Sequence, residues 1–152
     1  MPDRDLPPVT TPATQPPLSS TPISMSIAGG TGAPKQARRR LLLRLDHEVS
    51  AAQAADAALI VSELVTNSVT HADVGVNDAV DVELAALDEH LRISVMDSGS
   101  ALEPRVQPAD PGTPGGFGLR LVEQMCSAWG FTRDPAGRML VWCDLPLESG
   151  ID

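Results

Sequence analysis

Glu63, Asn67 and His71 recur at every fourth position, which sets a carboxylate, an amide and an imidazole on one line along a helix. Such a line is either a solvated polar face or a stripe turned toward a polar ligand. As ligand groups, the residues have definite chemistry. The neutral oxygen of Asn67 suits a hard cation such as magnesium, which keeps several waters and takes few protein ligands, with phosphates supplying the rest. Glu63, one turn earlier, would then lie close to a terminal phosphate and could take a proton from an attacking hydroxyl or water. His71 has no equally clear role, and a hydrogen bond near the helix end fits it better than catalysis.

Two further signals follow. Asp97 closes a strand-like stretch and has Gly99 two residues on. A carboxylate there can accept a hydrogen bond from an exocyclic amine such as that of adenine, and glycine lets the backbone approach a flat ring. Taken alone, Asp-x-Gly is equally an ordinary strand-to-turn sequence. Gly115, Gly116 and Gly118 stand just before an amphipathic stretch. Backbone N–H groups at a helix start hold phosphates, although a flexible hinge has the same composition. A proline-rich segment, not a strand, precedes these glycines, so they are not a dinucleotide-binding fingerprint.

The elements that must position these groups are readable in chain order. Residues 1–22 hold seven of the 14 prolines and read as a disordered tail. Ile23–Ile27 alternates as a short strand. Gly29-Gly-Thr-Gly32 lacks the Gly-Lys-Ser/Thr ending of a phosphate loop and reads as a turn, with Pro34 as first helical residue. Ala33, Ala37, Leu41 and Leu45 form the inner side of a first helix. Its remaining surface carries Arg38, Arg39, Arg40 and Arg44, either a solvated face or a docking surface for an acidic partner. Residues 46–50 connect, with Ser50 as N-cap, to a second helix ending near His71. Its apolar side is Ala57, Ala58, Val61, Leu64, Val65, Ser68, Val69 and Ala72.

After a loop over 73–78, two alternating stretches form a hairpin, with Val80, Val82 and Leu84 in one arm and Leu91, Ile93 and Val95 in the other. The stretch 101–114, with four prolines, has no periodicity, and a segment of that kind inside a domain is often a lid or binding loop. A third helix then places Leu119, Val122, Met125 and Cys126 on its inner face. Trp129–Thr132 and Arg138–Leu145 make a second hairpin around a turn at Asp134–Gly137. Strands and helices mix without regular alternation, which predicts an α+β two-layer sandwich: a mixed or antiparallel sheet with helices on one face. The expected division is a tail over 1–22, one domain over 23–147 and a short tail over 148–152.

Composition sets the bounds. The net charge of −9 argues against direct nucleic-acid or anionic-membrane binding. It does not bar a nucleotide held by backbone N–H groups and a metal ion. Cys126 and Cys143 have no metal-ligand spacing and read as two reduced core thiols. With neither a signal peptide nor an apolar run of bilayer length, a cytoplasmic protein is expected.

Glu63-Leu-Val-Thr-Asn67-Ser-Val-Thr-His71-Ala72, then Asp97-Ser-Gly99, then Gly116-Phe-Gly118-Leu119, in this order, resembles the ATP-binding domain shared by gyrase, Hsp90, histidine kinases and MutL. Within that superfamily the chain most resembles the small anti-sigma-factor serine kinases of bacteria, in the form abundant in actinomycetes. The resemblance spans roughly residues 23–147. It implies a Bergerat-type ATP-binding fold with ATP and magnesium as cofactors. By motif, Glu63 resembles the general base and Asn67 the magnesium ligand. Asp97 with Gly99 resembles the adenine contact, 101–114 the ATP lid, and Gly116, Phe117, Gly118 and Leu119 the phosphate-side turn. It also implies a sigma factor or an anti-anti-sigma protein as partner, and pairing of two copies. The chain departs from the pattern in its lid, where Arg105 is the only basic residue before Arg120. An ATP-gated binding module without catalysis is the alternative. A histidine-kinase fragment is disfavoured, because no phosphoacceptor helix precedes the domain.

Overall fold

The computed structural model describes residues 22–46, 48–71, 78–87, 89–97 and 118–147. Outside them lie the expected tails except Pro22, most of the 73–78 loop, Gly99, the expected lid, and Gly115 to Phe117. The described chain runs β1 (Ile23–Ala28), α1 (Ala33–Leu45), α2 (Ala51–His71), β2 (Ala79–Leu87), β3 (His90–Asp97), α3 (Gly118–Met125), β4 (Ala128–Arg133) and β5 (Met139–Pro146).

The five strands form one sheet in the order β1-β2-β3-β5-β4, antiparallel at every pairing. The three helices cover one face: α1 packs on β1 and α2, α2 on β2 and β3, and α3 on β4 and α2. This is the α+β sandwich that the sequence predicts. Its sheet is antiparallel among the described residues.

Alternation in the strands builds the core. Val80, Val82 and Leu84 of β2, Leu91, Ile93 and Val95 of β3, and Met139, Val141, Cys143 and Leu145 of β5 all face the helices and are buried. From the helices, Ala33, Ala37, Leu41 and Leu45 meet Ala57, Ile60, Val61, Leu64 and Val65 in the same cluster. Burying each larger aliphatic side chain stabilises the fold by about 1.5–3 kcal/mol. Helix α1 opens at Ala33, one residue before the expected Pro34, with Gly32 as a cap that makes no side-chain bond. Ser50 does cap α2: its hydroxyl accepts from the Gln53 N–H at 3.0 Å.

The pairing register gives the sandwich two ends. His90 pairs with Pro146 at one and Asp97 with Met139 at the other. At the first, the Gln53 side-chain amide donates to the Pro146 carbonyl at 3.1 Å, and the Leu147 N–H donates to Glu89 at 2.8 Å. There α3 hands over to β4, where Ser127 N–H donates to the Asp144 carbonyl at 2.9 Å. On the helix-free face near this end, Arg92 grips both carboxylate oxygens of Asp144 at 2.7 and 2.8 Å while lying 4.3 Å over the Trp142 ring. Among the described residues no helix is long and apolar enough to cross a membrane.

Candidate functional site

Helix α2 changes character along its length. In its first half Ala51, Ala52, Ala55, Asp56 and Leu59 are exposed on the side away from the core. Over the next two turns the corresponding side, with Ser62, Glu63, Thr66 and Asn67, is half-buried. The polar line is therefore not a simple solvated strip. Burial pushes the Glu63 carboxyl above its ordinary range, because the charged form loses hydration there. A carboxylate of raised pKa is a better proton acceptor than one in free solution.

The Thr66 hydroxyl donates to the Ser62 carbonyl at 2.8 Å, one turn back along its own helix. Ser62 and Thr66 stand one position before Glu63 and Asn67, so two hydroxyl side chains adjoin the carboxylate and the amide. The sequence reading passed over this pair, although it shares the four-residue spacing. Helix α2 ends at His71, and the Gly118 backbone opens α3.

Asp97 is the last residue of β3, on the same inward row as Leu91, Ile93 and Val95, and is only 6% exposed. A carboxylate in an apolar row is out of place as packing, since an ionised group needs polar partners to remain buried. Beyond it the chain enters the residues that hold Gly99.

Topology brings these groups to one end. The Gln53–Pro146 bond pins the start of α2 beside the His90 end of β3. From Gln53 to Asn67, a rise of 1.5 Å per residue carries the helix about 21 Å. From His90 to Asp97, 3.3 Å per residue carries the strand about 23 Å. Both lengths carry Asn67 and Asp97 toward the same end of the sandwich, with Glu63 one turn before Asn67 on α2. Residues 72–78 return α2 to Ala79, whose partner in β1 is Ala28, at that same end of the sheet. Helix α3 finishes at the other end, where Ser127 meets Asp144. Its eight residues rise about 12 Å, so Gly118 opens toward Asp97 and Asn67. The free N–H groups of that first turn carry the positive end of the helix dipole.

The described site thus combines a raised carboxylate, an amide, a buried aspartate and a helix start. Half-buried Arg120 lies in that helix's first turn. The arrangement suits a ligand that offers an amine at one side and anionic oxygens at the other. The Leu119 side chain is 5% exposed and belongs to the core, so it anchors α3. Gly99, Gly116 and Phe117 lie outside the described residues, so their geometry does not enter the site.

Comparison with protein families gives a match over residues 34–143 to the family described as the histidine kinase-like ATPase domain. That span runs from the second residue of α1 into β5 and takes in every described site residue. A comparison with curated proteins finds no match.

Proposed function

The chain belongs to the histidine kinase-like ATPase domain family, an ATP-binding fold, and on that premise we propose a regulatory serine/threonine kinase of anti-sigma-factor type. In this reading the protein binds ATP with magnesium, transfers the terminal phosphoryl group to a hydroxyl of an antagonist protein, and sequesters a sigma factor. The observation that carries it is the half-buried Glu63 with its raised carboxyl, one turn before Asn67 and at the end of the sandwich that holds Asp97.

The residues fit the cofactors in kind. Asn67 presents a neutral oxygen, the hard donor magnesium accepts, and no described group of three acidic, histidine or cysteine side chains competes for the ion. In this reading Asp97 accepts from the adenine amine and the N–H groups opening α3 serve the phosphates. When bound, magnesium-ATP supplies the phosphoryl group and offsets part of its charge. Glu63 is the residue that would take the proton of the attacking serine or threonine hydroxyl, with ADP as the leaving group.

The test is labelled ATP with magnesium and a cognate antagonist protein. Label on a serine or threonine of that protein supports the reading. Tight magnesium-ATP binding that changes partner affinity but transfers no label would replace it with an ATP-gated binding module. No adenine-nucleotide binding at all would remove both.

A further inference from the structure

The two cysteines of the chain are joined by the fold although they belong to different elements. Cys126 ends the last turn of α3, its N–H donating to the Val122 carbonyl at 2.8 Å. The next residue, Ser127, docks on β5 through its N–H and its hydroxyl, both donating to the Asp144 carbonyl at 2.9 and 3.3 Å. Strand β4 then sets Trp129 opposite Cys143. Backbone bonds on either side therefore hold Cys126 against β5. Cys143 faces inward between Val141 and Leu145 and is 0% exposed, while Cys126 packs on the same cluster and is partly open to solvent. The Cys126 side chain, more than burial, pushes the Cys143 thiol up from its ordinary range.

We propose that Cys126 and Cys143 are a peroxide-oxidisable dithiol whose disulfide staples the end of α3 to β5. The Ser127–Asp144 bonds and the Trp129–Cys143 pairing hold the two cysteines on adjoining backbone against one cluster, the neighbourhood a disulfide requires. Their exposures assign the roles. Peroxide reaches Cys126, whose sulfur attacks one oxygen; the O–O bond breaks, water leaves, and Cys126 becomes a sulfenic acid. The neighbouring Cys126 and burial both favour the protonated Cys143 sulfur. That sulfur then attacks Cys126, the S–O bond breaks, and the Cys143 proton leaves with the hydroxide as a second water. Two thiols and one hydrogen peroxide give one disulfide and two waters, the two electrons passing to peroxide. With only two cysteines in the sequence, each is the other's sole partner within one chain. The staple would fix α3 at the end opposite Gly118, and it is independent of the kinase reading.

The experiment uses the full chain without nucleotide. It is treated with equimolar hydrogen peroxide, quenched with catalase, alkylated under denaturing conditions and weighed intact. The expected product is a monomer two hydrogens lighter that takes no alkyl group, with both sites restored by dithiothreitol. C143S should stop at a Cys126 sulfenic acid that dimedone traps, and C126S should react roughly tenfold more slowly or less. Two thiols still alkylatable after peroxide, oxygen added at Cys126 without a crosslink, or disulfides only between chains would each overturn the proposal. The wild-type result stands without the variants, so a misfolded variant does not rescue it.

Discussion

At the Pro146 end of the sandwich, polar atoms meet one another. Gln53 bonds to Pro146, Leu147 to Glu89, Ser127 to Asp144, and Arg92, over the Trp142 ring, to both Asp144 oxygens. At the Asp97 end, one carboxyl group is buried and another half-buried. Glu63 is held at a raised pKa, and Asp97 finishes an otherwise aliphatic row. The first end closes the fold, and the second holds groups whose placement makes sense with a ligand present. Substitutions at the two ends should therefore fail in different ways: one in stability, the other in nucleotide chemistry.

The largest separation is expected at Glu63. Glu63→Gln keeps the shape and loses the proton acceptor, so phosphoryl transfer should fall roughly 10²–10⁴-fold while ATP binding persists. Asn67→Ala should weaken magnesium-dependent ATP binding by roughly 10–100-fold, the equivalent of one lost charge-assisted contact. Calorimetry with and without magnesium separates that loss from a general one. Both variants should keep the wild-type unfolding midpoint to within ~1 kcal/mol. A large loss of stability in either would make the Asp97 end structural and erase the contrast.

Next comes Arg92, the converse case. Arg92→Ala removes two bonds to a mostly buried carboxylate and uncovers Trp142, so unfolding in urea should cost about 2–3 kcal/mol less than for wild type. ATP affinity should not change, since the pair lies on the helix-free face. An equal loss of affinity would mean that the two ends are not independent.

How much of this the sequence carried depends on the range of the interaction. Ala33, Ala37, Leu41 and Leu45 repeat every four residues, and the fold buries these four and no other described residue of α1. The Ser50 cap, the strands and the turn at Asp134–Gly137 were likewise legible, because their causes lie within a few residues. In that turn Asp134 accepts from the Arg138 N–H at 2.8 Å, and Gly137 takes a φ of 89°. Nothing local shows that β5 lies between β3 and β4, or that Arg92 finds a partner 52 positions away. Ile60 was missed on the inner side of α2 because a helix covered by the sheet and by two other helices buries a wider arc than one stripe. In the site, spacing revealed Glu63 and Asn67. The half-burial that gives the carboxyl its chemistry comes from packing, which no spacing reports.

The smallest effect tests the contrast most directly. The folded pKa of Glu63 is raised above its unfolded value of about 4.3, by burial alone. Below about pH 4 both states carry the proton, and folding bears no penalty from this group. As pH rises through the folded pKa, the native carboxylate must ionise in a half-buried place, and that share of stability is lost. Solvent still reaches the side chain, so screening keeps the loss under ~1 kcal/mol. Glu63→Gln removes the ionisation. Without nucleotide, it should be slightly more stable than wild type at pH 7, with the gap closing toward pH 4. Urea unfolding of both proteins at the two pH values measures it. A variant less stable than wild type at pH 7 would show that Glu63 holds the fold together, and the Asp97 end would then be no different in kind from the Pro146 end.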